Sequence, residues 1–307
     1  MKIYINKLKE NWVVDNVISE WKKFNEIITT DNIKQADIIW LIAPWTWKKE
    51  QKKRLKTKKV ICTIHHIDFE KFDDKEKTDF YKRDGYVDVY HTVSYKTKEQ
   101  LETLTNKNIF VIPFWLNQDN FYEIENKDYL RKKYNISNSS FVVGSFQRDT
   151  EGSDLISPKL SKGPDQFLKI ILEMSKNNSK LEVLLTGKRR GYLIENFTKY
   201  NIPFHYHEMV DYEKLNEFYN LLDLYIVASR VEGGPRSLFE CGITRTPIIS
   251  TDVGFASKLL SPNSIFEMDR FQFAKPDVEY SRKKVIQYKI PGGFSPFIEM
   301  FEEVHEN

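Results

Sequence analysis

Cysteine is nearly missing from this chain, with two among 307 residues, Cys62 and Cys241. Both sit in apolar patterns, which excludes a disulfide framework and a thiolate metal cluster and fits a reducing cytosol. Long apolar runs are missing too: none reaches the ~18 residues of a membrane span. The opening MKIYINKLKENW holds no apolar core of signal-peptide length. Together these predict a soluble, cytoplasmic protein, with attachment to the inner membrane face left open. No CxxC or HExxH accompanies the histidines, so a zinc site is not expected. No G-x-G-x-x-G follows an early strand, which argues against a dinucleotide-dependent dehydrogenase. The net charge is only +3, and the whole-chain balance gives no nucleic-acid partner.

The chain is 40% hydrophobic and 14% aromatic, enough to build substantial cores. Its length suits two domains of about 100 to 150 residues. Short apolar runs alternate with helical patterns, the signature of βαβ units and parallel sheet. In the first half, KIYIN, ADIIWLIAP, KVICTIHH, VDVYHTVS and NIFVIPF read as strands. A polar, turn-rich stretch follows at about 117–140. A second series then runs through FVVGSF, LEVLLTG, FHYHEM, LYIVAS and PIIST. We therefore expect a doubly wound domain over 1–118, a second over 119–285, and a last helix within 286–307, after a glycine break, packing back on the first domain. Open α/β sheets bind ligands outside the carboxyl ends of their strands, so residues just after strands matter most.

The stretch VASRVEGGPRSLFECG, 227–242, holds two such candidates, Glu232 and Glu240, with seven residues between them. The strand LYIVAS ends, the loop RVEGG follows, and Pro235 suits the first position of a helix. Gly233 and Gly234 allow close backbone approach or positive φ. A helix start offers free N–H groups and a positive dipole end, which suit a pyrophosphate. Carboxylates on either side of it would accept from sugar and ribose hydroxyls. A bare E-x7-E spacing is common and weak. The combination of buried strand, EGGP, apolar helix, second glutamate and TPIISTDVG is more specific.

With these motifs the chain resembles the retaining nucleotide-sugar glycosyltransferases of the GT-B fold, family 4 (group 1) in particular. EGGPRSLFE and TPIISTDVG match that family's motif. VDVYHTVSYKTKEQL, VVGSFQRD with KGPDQFLKII, and DYEKLNEFYNLLDLYIVASRVEGG extend the resemblance over roughly 85–260. It implies two Rossmann-like domains facing across a cleft. It further implies a hexosyltransferase that moves a sugar from a UDP- or GDP-sugar to an acceptor hydroxyl, with retention and without a metal or other cofactor. Arg148 and Lys162 would bind the diphosphate, Glu232 would contact the transferred sugar and Glu240 the ribose. Gly233, Gly234, Pro235 and Arg236 would line the pocket through backbone groups, and Ser237 would add a hydroxyl. Gly187 and Val210 are the candidates beside the base, whereas Asp211 reads as a helix N-cap. His65 or His66, after the strand VICTI, would touch the donor sugar.

The physical case for Arg148 and Lys162 is that each follows a strand or precedes a helix at the expected cleft, where paired cations neutralise a leaving diphosphate. Singly, each would read as a surface cation. FDD at 72–74 superficially resembles the carboxylate pairs of metal-dependent transferases, but its charged surroundings read as a solvated helix face. The loop after the first strand, KLKENWVVDN, lacks the glycines many relatives have there. No contacts are therefore carried over from that loop, and Asn11, Trp12 and Asp15 stand as acceptor-pocket candidates. The run KKEQKKRLKTKK at 48–59 holds eight basic residues and one acid. It reads first as a solvated helix. If it binds anything, an anionic membrane surface suits an enzyme with a glycan or lipid-linked acceptor. The alternative to an enzyme is a catalytically silent protein that binds sugar nucleotides.

Overall fold

The computed structural model describes residues 1–6 and 13–307. The chain forms two compact units, Met1–Phe114 with Pro291–Asn307, and Trp115–Ile290. Asn11 and Trp12 lie outside the described residues.

In the first unit, runs of β-branched and aromatic residues make five parallel strands: β1 (Ile3–Ile5), β2 (Ile38–Leu41), β3 (Lys59–Ile64), β4 (Val89–Thr92) and β5 (Ile109–Val111). Helices α1 (Val13–Phe24), α2 (Lys52–Leu55), α3 (Asp74–Asp84) and α4 (Tyr95–Glu102) lie between them. The strands pair in chain order, β1 to β5. Right-handed crossovers in that order would put every helix on one face. The reversal comes from Thr29, which bridges Ile3 in parallel while Ile3 also pairs with Ile38 of β2. The chain thus leaves β1, passes through α1, touches one edge of β1 and crosses back to the other edge. A doubly wound change of direction is compressed into one bridge.

Alternation along the strands separates two apolar faces. Ile39, Leu41, Val60, Cys62 and Ile64 pack with Leu55, Phe80 and Leu101 from α2, α3 and α4. Trp40 takes the other face. Trp21 of α1 meets it edge-on at 5.6 Å, and Phe297 and Phe301 of the last helix (Ser295–Glu306) lie 5.6 and 5.2 Å from it. That helix carries residues of the far end of the chain into the first unit's core. The polar side chains on this face form one relay. Trp40 Nε1 donates to Thr63 Oγ1 at 2.8 Å. Thr63 Oγ1 lies 2.9 Å from His91 Nδ1, and His91 Nε2 lies 2.8 Å from the Ile112 carbonyl. A carbonyl only accepts, so Nε2 carries the proton and Nδ1 accepts from Thr63.

The basic run does not form the single helix expected. It splits into a 3₁₀ turn, Pro44–Lys49, and the four-residue α2. Leu55 within the run and Trp47 just before it are buried anchors, and the chain must turn again after Leu55 to start β3 at Lys59. Asp73 of FDD is the N-cap of α3, accepting from Glu76 N–H at 2.9 Å.

The units divide after Phe114 and before Pro291, against the expected 118/119 and 285/286. The reason is local: Leu116 N–H donates to Tyr288 O at 2.7 Å and Ile290 N–H to Leu116 O at 3.0 Å. The two connecting segments are thus tied together inside the second unit.

The second unit begins with α5 (Lys127–Lys133). It continues with β6 (Phe141–Ser145), α6 (Pro164–Asn177), β7 (Leu181–Thr186), α7 (Gly191–Lys199), β8 (Phe204–His207) and α8 (Tyr212–Leu221). Then come β9 (Leu224–Val227), α9 (Arg236–Thr244), β10 (Ile248–Thr251), α10 (Ala256–Leu259), β11 (Ile265–Phe266) and α11 (Val278–Val285). The parallel sheet runs β11-β10-β9-β6-β7-β8. Phe218, Tyr219, Leu238 and Phe239 of α8 and α9 pack one face. Phe167, Ile170, Leu193 and Phe197 of α6 and α7 pack the other. Strand order reverses between β6 and β9, so the loops after these two strands flank the switch point where such sheets bind ligands. Among the described residues no helix is long and apolar enough to cross a membrane.

Candidate functional site

The loops after β6 and β9 are joined by glycines that admit backbone where no side chain fits. Gly163 sits at φ +63, and a Cβ there would lie 1.7 Å from the Ala228 carbonyl. Ser161 O accepts from Arg230 and Val231 N–H at 2.9 and 3.0 Å. Arg230 grips Asp165 with both Nη atoms, at 2.7 and 2.6 Å. This close approach delivers Lys162 to Glu232, and the two form an ion pair through Nζ and Oε1. Ser229 Oγ is 3.4 Å from the same Glu232 oxygen, and Gln147 Nε2 donates to Lys162 O at 3.0 Å. On the other side, Gly254 at φ +54 leaves room for Gly233, whose carbonyl would be 2.2 Å from any Cβ at 254. The EGGP loop is therefore moulded by two left-handed glycines outside it, Gly163 and Gly254.

Helix α9 starts at Arg236, with Pro235 as its cap residue rather than its first turn. Leu238 N–H donates to Pro235 O at 3.1 Å. Arg236 donates from Nη1 to the Trp115 carbonyl at 2.7 Å, and its Nε is 4.0 Å from Glu240 Oε1. Tyr219, wholly buried, donates its hydroxyl to Glu240 Oε2 at 2.6 Å. Burial and then the Glu240 charge push that phenol well above its ordinary pKa, so it stays a donor. Tyr225 lies beside it, with ring centroids 5.5 Å apart. Its hydroxyl accepts from Phe146 N–H at 2.9 Å and is bonded by Ser237.

Arg148 donates Nε to Thr150 O at 3.0 Å. Burial first and the neighbouring Arg189 second hold its pKa below the usual guanidinium value. Asp149, next in the chain, is buried and pairs with the wholly buried Arg190 at 3.0 Å. Arg190 also donates to the carbonyls of Ser145 and Thr186, at 2.7 and 3.0 Å, tying the ends of β6 and β7 together. Burial pushes Asp149 up to about 6, against the opposing pull of Arg190 and of the Leu193 and Tyr192 amides at the start of α7.

Gly187 has φ +93, its N–H reaches His207 O at 3.3 Å, and its carbonyl accepts from Tyr206 at 3.2 Å. Val210 is half-buried against the Phe218 cluster. Asp211 is the N-cap of α8, accepting from Lys214 N–H at 2.8 Å.

In the first unit, His65 and His66 differ. His65 is half-buried, with Nε2 2.9 Å from Ile42 O and its ring stacked 5.9 Å from Phe114. Burial lowers its pKa to about 4. His66 is exposed. Among the described residues no three His, Cys, Asp or Glu side chains gather as a cation site.

Lys162 and Glu232 are thus brought into contact, as are Arg236 and Glu240, while Arg148 is engaged on its own loop. Sequence reasoning missed Gln147, Ser229, Tyr219 and Arg189. Gln147, Ser229 and Arg189 carried a signal, by following strands; Tyr219, inside α8, carried none.

Residues 157–289 match the family model of glycosyl transferases, group 1. No curated protein matches the sequence. Among solved structures, Anabaena HepE in complex with UDP-glucose is similar at TM-score 0.74 and 12% identity, over 98% of this chain and 99% of that one. A glycosyltransferase from Rickettsia africae is similar at TM-score 0.68 and 18% identity, over 98% and 84%. Sucrose-phosphate synthase from Thermosynechococcus elongatus is similar at TM-score 0.68 and 13% identity, over 98% and 80%. At such identities the likeness concerns fold: two Rossmann-like domains of the GT-B class.

Proposed function

We propose that the chain transfers a sugar from a nucleoside-diphosphate sugar to an acceptor hydroxyl. The observation that carries this reading is the Lys162–Glu232 pair at the switch point, inside the segment that matches group 1 glycosyl transferases. The HepE structure is a complex with UDP-glucose, which supports a UDP-sugar as the first donor to try. A GDP-sugar is the second.

Lys162 and Arg148 stabilise the charge of the departing diphosphate, as fixed cations cost no reorganisation when that charge develops. Glu232 positions the transferred sugar through its hydroxyls, and Glu240 accepts from the ribose. The backbone of Gly233, Gly234, Pro235 and Arg236 and the Ser237 hydroxyl line the phosphates, and Gly187 and Val210 border the base. His65 or His66 offers the sugar a polar contact. The reaction retains configuration by same-face attack, with the leaving phosphate taking the acceptor's proton. It needs no metal because side chains supply the positive charge. The acceptor is a glycan or lipid-linked hydroxyl. The exposed lysines of 48–59, beside the half-exposed Trp45, suit an anionic membrane surface on the cytoplasmic side.

The test is substitution of Glu232, Arg148 and Lys162 by Ala, with transfer measured from UDP- and GDP-sugars. A thermal-shift screen selects the donor, since a ligand of the folded state raises its stability by mass action. Near-wild-type turnover in all three variants overturns the reading. Binding without hydrolysis or transfer in the parent protein would mark a catalytically silent sugar-nucleotide-binding protein.

A further inference from the structure

Lys162 is committed to Glu232, so the charge of a diphosphate must be met elsewhere as well. Two guanidinium groups stand together in the loops after β6 and β7, and Glu151 of the same turn offsets the charge of Arg148 only in part. Arg148 donates to Thr150 O and Arg189 donates from Nη1 to Gly152 O, both at 3.0 Å. Both are thus anchored on the same short turn. Like charges in proximity are unfavourable unless an anion lies between or beside them.

The mounting is rigid. Arg189 holds φ +61, a left-handed conformation that side chains other than Asn, Asp and Gly rarely adopt. Its carbonyl accepts from Asp149 N–H at 3.1 Å, from Thr150 N–H at 3.2 Å and from Thr150 Oγ1 at 3.1 Å. The next residue, Arg190, is locked by the buried pair with Asp149. The turn beyond is closed by an antiparallel bridge between Thr150 and Pro158. A backbone strained and pinned in this way sets where the Arg189 side chain begins. Arg189 itself is exposed, and a structural role alone does not require a second cation beside Arg148.

We propose that Arg189 and Arg148 together form a phosphate seat, with Arg189 an additional residue binding the diphosphate of the donor. Guanidinium forks meet phosphate oxygens in bidentate fashion, and two of them suit a polyanion better than one lysine does. The inference rests on the sugar-nucleotide reading above, which names Arg148 but not Arg189.

Arg189→Asn is the test variant, since Asn tolerates a left-handed backbone; Arg189→Lys restores charge without the fork. UDP, GDP, UMP, GMP and inorganic pyrophosphate are titrated calorimetrically at two salt concentrations, with Glu240→Ala as control and thermal unfolding to confirm folding. Arg189→Asn should bind the preferred diphosphate roughly tenfold or more weakly, the effect of losing one charge-assisted hydrogen bond. It should bind the matching monophosphate nearly as the parent does, and show a shallower salt dependence. Arg189→Lys should recover part of the loss. Parent-like diphosphate binding by Arg189→Asn, alongside a weakened Glu240→Ala, overturns the seat and leaves the donor reading standing. If the parent binds neither UDP nor GDP, the donor reading fails. The seat then stands only if the parent binds pyrophosphate and Arg189→Asn does not.

Discussion

Lys162 and Glu232, seventy positions apart, meet as an ion pair beside the junction of β6 and β9. The Glu232 side chain is only 9% exposed and that of Lys162 only 23%. Each group holds the other's charge in a poorly solvated place, so removing either partner is expensive. Lys162→Ala is expected to lower stability by about 1–3 kcal/mol, the cost of leaving a buried acceptor unmatched. Transfer should fall by at least about 100-fold, the scale for losing one preorganised electrostatic group. Urea unfolding and turnover with the donor check this. A Lys162→Met, Glu232→Gln double variant should be less destabilised than the sum of its singles; strict additivity would deny the pair any energetic role.

Gly163 decides whether that pair forms at all. Its φ of +63 and the 1.7 Å approach of Ala228 O leave no room for a methyl group. Gly163→Ala is expected to cost about 2 kcal/mol or more, from left-handed strain plus displacement of the loop. Turnover should drop with it, because Lys162 is the preceding residue. A variant with parent-like melting temperature and activity would contradict the close approach.

Tyr219 orients Glu240 through a 2.6 Å hydrogen bond. Tyr219→Phe keeps the ring in its cluster and deletes only the donor. The expected result is a donor KM raised about five- to tenfold, equivalent to roughly 1–1.4 kcal/mol, with kcat nearly unchanged. A fall in kcat at constant KM would show that the hydroxyl serves chemistry instead of ribose binding.

His91 supplies a pH dependence with a definite sign. Burial lowers its pKa to about 3, against about 6.5 in an unfolded chain. Between these values the unfolded state binds the extra proton, so folding stability rises with pH. The His91 contribution is complete above about pH 6.5 and is lost as pH falls toward 3, at up to about 1.4 kcal/mol per pH unit. His65, lowered to about 4, acts in the same direction. Denaturant unfolding from pH 7 to 4 checks this, with NMR titration of the His91 ring. A His91 ring that charges near pH 6 in the folded protein would refute the assignment.

Much of the fold was legible because it depends on local pattern. The strands KVICTI and LYIV are short, β-branched and buried on both faces, and each is followed by a helical period. Asp211 was legible as a cap for the same reason: an Asp ahead of an apolar helix has one obvious donor to satisfy. The basic run 48–59 has the composition of one solvated helix, and its sequence does not say that Leu55 and the preceding Trp47 must both be buried within one short crossover. Pro235 caps α9 instead of opening its first turn, and the sequence does not separate the two because a proline suits both.

What the sequence determined by itself was the two alternations of strand and helix and the residue types around EGGP, since side-chain period and turn chemistry act over a few neighbours. Tertiary structure alone decided that Lys162 faces Glu232, that Tyr219 serves Glu240, and that Arg189 stands beside Arg148. Those pairings depend on how strands order themselves in the sheet and on how near one carbonyl comes to a glycine. Such distances are set by packing across many residues, and no local stretch of sequence encodes them.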